Sequence, residues 1–83
     1  MTPTLGTIRR ALDAVCPYEE SPDAFEWQTA DAEGVLANWG DLEAIGDHLD
    51  DSSYVAVACD QWGWAPHPPE VVRRLLEQIE GAA

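Results

Sequence analysis

Apolar positions recur along this chain with two different periods. Leu5, Ile8, Leu12 and Val15 fall on one stripe at helical spacing, which predicts a helix over residues 3–15. Thr2 is placed to cap it, Pro3 suits its first turn and Pro17 stops it. After a polar loop over 16–23 the period changes. Phe25, Trp27 and Thr29 alternate with Glu26 and Gln28, the pattern of a half-buried strand over 24–30. Asp31-Ala32-Glu33-Gly34 reads as a hairpin turn, with Gly34 supplying a left-handed position. Val35, Ala37 and Trp39 then make the inward face of a second, antiparallel strand.

Residues 41–50 return to helical spacing, with Leu42, Ile45 and Leu49 inward. Residues 53–59 are almost continuously apolar, as suits a central strand covered on both faces. A loop over 61–68 carries Trp62 and Trp64 around Gly63. The last helix opens at Pro69, is striped by Val72, Leu75, Leu76 and Ile79, and ends at Gly81. The predicted order is α-β-β-α-β-α, a small α+β fold in which helices pack on a three-stranded sheet. No repeat or linker divides the chain, so residues 1–83 are expected to form a single domain.

Composition changes this picture little. A hydrophobic fraction of 46% in 83 residues belongs to a folded domain, not to a disordered acidic tail. Charge changes it more. Sixteen Asp and Glu stand against four Arg and no Lys, for a net charge of −12. The Arg come as two pairs, Arg9–Arg10 and Arg73–Arg74, and every acid except Glu77 and Glu80 precedes the second pair. Direct binding to nucleic acid or to an anionic membrane needs basic surface, which this chain lacks. A basic protein is the natural complement.

The acids are also patterned. Glu43, Asp47 and Asp51 follow one another at helical-neighbour spacing, with Asp41 and Asp50 beside them. Like charges at that spacing destabilise a helix by about 0.2–0.5 kcal/mol per pair, and no neighbouring cation relieves them. Carboxylates about 6–7 Å apart on a helix face or strand can imitate a run of backbone phosphates. Glu26, Asp31, Glu33, Glu43, Asp47, Asp50 and Asp51 are therefore the candidate partner-binding face, with Trp62 or Trp64 as an apolar anchor. The expected function is a non-catalytic inhibitor or decoy that mimics nucleic acid. It would occupy the nucleic-acid-binding surface of a basic protein, as small acidic phage proteins do against CRISPR or restriction systems. Three other readings remain open: an immunity-type or adaptor protein binding through Trp62, Trp64 and apolar surface; an acidic halophile domain without mimicry; and a small enzyme using Cys16 or Cys59.

The stretch Asp41-Leu42-Glu43-Ala44-Ile45-Gly46-Asp47-His48-Leu49, followed by an apolar segment and a helix, resembles the inhibitory-helix region of barstar-type ribonuclease inhibitors. That resemblance implies an acidic helix plugging the basic active site of a nuclease. The family's opening strand before the first helix and closing strand after the last have no counterpart here.

Catalytic and metal chemistry find little purchase. Cys16 and Cys59 form neither a CxxC motif nor a zinc spacing. Cys59 falls in an apolar segment as an inert core residue, and Cys16 has no nearby cation to activate it. His48 falls on the outer part of the acidic helix and His67 in the lead-in to the last one. Asp47-His48-Leu49-Asp50-Asp51 does not match a calcium loop, and no glycine-rich phosphate loop is present. No enzyme, cofactor or metal is expected. The start of the chain has no basic residues leading into an apolar run, and the longest apolar run, over 54–59, is too short to span a membrane. A cytoplasmic protein with both thiols reduced is the expectation.

Overall fold

The computed structural model describes residues 2–17, 22–61, 63 and 67–82. Among these it holds five helices, α1 (Leu5–Val15), α2 (Pro22–Ala37), α3 (Leu42–His48), α4 (Tyr54–Gln61) and α5 (Pro68–Ala82), and no strand. The expected α+β fold is therefore corrected to an all-helical one. The hairpin and the central strand are α2 and α4.

The reason is visible in what α2 buries. Its inward residues are Ala24, Gln28, Asp31, Ala32 and Val35, a helical period carried by small and polar side chains. The alternating aromatics that suggested a strand point outward: Phe25 is 57% and Trp27 48% exposed. Alanine at 24, 30, 32 and 37 favours the helix on propensity. The supposed turn over 31–34 is helix interior. In α4 a short apolar run fits a buried helix as well as a buried strand. Capping decides for the helix, because Ser53 Oγ accepts the Ala56 N–H at 3.0 Å.

The three expected helices are present with adjusted ends. Thr4, not Thr2, caps α1, accepting the Thr7 N–H at 3.2 Å. Asp41 caps α3 through the Ala44 N–H at 3.1 Å. α5 starts at Pro68 and runs through Gly81.

α2 packs against α1, α3 and α4, while α5 packs against α1 and α3. The shared core is built from Ile8, Leu12, Val35, Ile45, Leu49, Val55, Val71 and Leu75, all fully buried. Trp39 is partly buried against this cluster. Cys16, at the end of α1, and Cys59, on α4, are joined by a disulfide with Cα atoms 5.5 Å apart. The expectation of two reduced thiols is corrected accordingly. Both sulfur-bearing residues are buried, which places them in the core and not at a reactive surface. Among the described residues no helix is long and apolar enough to cross a membrane.

Candidate functional site

The acidic residues singled out by sequence separate into three places. Glu43 and Asp47 are exposed on α3, and Asp50 and Asp51 are exposed in the turn that follows it. Glu26 and Glu33 are exposed on α2, two turns apart and so on one side of that helix. Asp31 is different: it is only 5% exposed and leaves the candidate face. Its Oδ2 accepts the Val55 N–H at 3.1 Å, so a side chain from α2 caps the start of α4. Burial pushes its carboxyl above the ordinary value. Hydrogen bonds from the Val55 and Tyr54 backbone and the charge of His48 oppose that shift. Trp62 and Trp64 lie outside the described residues.

His48 is half-buried, not on the outer part of the helix. Its ring lies so close to Gly34 of α2 that a Cβ there would overlap it. Its Nε2 has no hydrogen-bond partner among the described residues. Asp50 is held by its neighbours, its Oδ1 accepting from Ser52 Oγ at 2.7 Å and from the Ser52 N–H at 3.0 Å. These hydrogen bonds draw its carboxyl below the ordinary range.

The ion pairs between described residues all lie within α5. Arg73 bonds Glu70 and Glu77, and Arg74 bonds Glu70 at 3.0 Å. Hydrogen bonds from Arg73 and Arg74 draw Glu70 down to about 2. On α1, the Arg9 guanidinium lies over the Phe25 ring, 4.7 Å from its centroid, a cation–π contact. The guanidinium groups are thus on the two terminal helices. None of these ion pairs reaches the carboxylates of α3 and its turn.

Between α3 and α5 lies a groove of about 710 Å³. Leu42, Pro68, Pro69, Val72 and Leu76 supply its apolar surface, and Glu43, Asp47 and Arg73 its charged edge. Leu42, expected to face inward, is 53% exposed at this groove. Sequence reading missed the groove because it joins an edge of one helix to an edge of another, far apart in the chain. The available signal was Gly46, a small residue inside the apolar stripe of α3 where α5 approaches. A Cβ there would stand 3.6 Å from Pro68 Cβ and 3.8 Å from Val72 Cγ2.

Comparison with protein-family models, characterised proteins and solved structures finds no match for this chain. The barstar-type likeness stops at the acidic stretch, which here belongs to a helical assembly without a strand among its described residues.

Proposed function

We propose that this protein is a non-catalytic inhibitor or decoy that docks its acidic face on the basic, nucleic-acid-binding surface of another protein. The observation that carries the reading is the set Glu43, Asp47, Asp50 and Asp51, all exposed on α3 and its following turn and reached by no ion pair with another described residue. Uncompensated carboxylates of one sign sum to a field that steers a basic partner and aligns it on encounter. Glu26 and Glu33 on α2 extend the field, and Asp31 does not contribute to it.

Competition tests this directly. The protein is immobilised, host lysate is passed over it at about 0.15 M salt, where charges are felt over roughly 8 Å, and retained proteins are eluted with duplex DNA or RNA. Release of a nucleic-acid-binding protein by the duplex supports the decoy. A retained protein that ignores the duplex contradicts it.

A further inference from the structure

The groove between α3 and α5 adds a shape to that charge. We infer that it receives one amphipathic helix of the basic partner, seated on Leu42, Val72 and Leu76, with Lys or Arg side chains reaching Glu43 and Asp47. This rests on the proposal that the acidic face meets a basic protein, and it specifies what enters.

Leu42 stands apart from the rest of its stripe. Ile45 and Leu49 are 0% and 1% exposed, whereas Leu42 is 53% exposed. A single exposed leucine is ordinary, but this one forms the wall of a groove whose other apolar surface comes from α5. Gly46 adds no side chain to the floor, where a Cβ would make ordinary contact with Pro68 and Val72. A groove between two packed helices is the complement of a third helix, whose side-chain ridge lies along it.

Charge selects the occupant. Glu43 and Asp47 lie one turn apart on the α3 side. Across from them Arg73 is bonded to Glu70 and Glu77, so its charge is already answered. The mouth is therefore net acidic. A second copy of this chain would bring another −12 against it; a basic helix meets no such repulsion.

The test uses two synthetic peptides of roughly 18 residues, long enough to form a helix, on the isotopically labelled full chain. One has leucines on a single helical stripe and lysines elsewhere; the other has the same composition with the stripe shuffled away. We expect the striped peptide to move the backbone amide signals of Leu42, Gly46, Val72 and Leu76 and to bind about tenfold more tightly than the shuffled one. Leu42→Ser, at an exposed site that does not support the core, should remove about that tenfold for the striped peptide only. Equal affinities, with shifts confined to Glu43, Asp47, Asp50 and Asp51, would overturn the groove and leave the charge reading standing. Binding of neither peptide would overturn both. Sedimentation showing a dimer closed through Leu42 would replace the helix with a second copy.

Discussion

Asp31 belongs to the acidic set by sequence and to the interior by structure. It completes the N-terminus of α4 beside Ser53, where Val55 and Ala56 present N–H groups without partners inside the helix. Asp31→Ala leaves the buried Val55 donor unmet, and an unfolding titration should show a loss of about 1–3 kcal/mol. Asp31→Asn keeps an acceptor and separates the effect of charge. Because burial raises the Asp31 carboxyl, the folded chain holds this proton more tightly than the unfolded chain. The stabilisation this gives is complete below the ordinary value of 3.8 and is lost as pH rises through the folded value. The stability of Asp31→Asn relative to the parent should therefore increase between acid and neutral pH; a decrease would contradict this placement. Glu70 has the opposite sign. Drawn from 4.5 down to about 2 by its arginines, it favours folding above 4.5 and loses that contribution as pH falls toward 2.

Gly34 and His48 form a second residue-scale test. Alanine within a helix is favoured over glycine by about 1 kcal/mol, but at Gly34 its Cβ would displace the His48 ring. Gly34→Ala should stabilise a His48→Ala background and do so by less, or destabilise, when His48 is present. Equal effects in both backgrounds, measured by thermal melts, would show that the contact is not made.

At the scale of elements, the amphipathic terminal helices were legible because their core residues are large and aliphatic. Ile8, Leu12, Leu75 and Ile79 announce a helical period unaided. α2 was not legible, because its core face is Ala24, Gln28, Asp31 and Ala32 while its largest side chains face outward. A pattern reading weights size, so Phe25 and Trp27 imposed a period of two on a helix. α4 failed for another reason: Val55, Ala56, Ala58 and Cys59 are all buried, leaving no polar face to set a period. The acidic edge of the site was legible on α3, where Glu43 and Asp47 recur at one-turn spacing, and its apolar wall was not. Backbone carbon shifts should be helical across 24–37 and across 54–61, and extended values in either stretch would restore a strand. Ser53→Ala should cost about 1 kcal/mol through loss of the α4 cap, measured by urea titration.

At the scale of the molecule, the Cys16–Cys59 bridge closes a sequence separation of 43. A loop of that length contributes about 4 kcal/mol by restricting the unfolded chain. Chain denatured without reductant should take up no alkylating label, and reduction should lower the unfolding midpoint; two labelled thiols before reduction would contradict the pairing. Packing against α2 and α5 positions the outer surface of α3, on which the central claim depends. The most direct measurement runs the parent and the Glu43→Gln/Asp47→Asn/Asp51→Asn variant as baits side by side through one lysate, then measures the affinity of the retained protein for each at rising salt. The account predicts weaker binding to the variant and a shallower dependence on salt, because charge contacts and their counterions have been removed. Equal affinity and equal salt dependence for the two baits would contradict it.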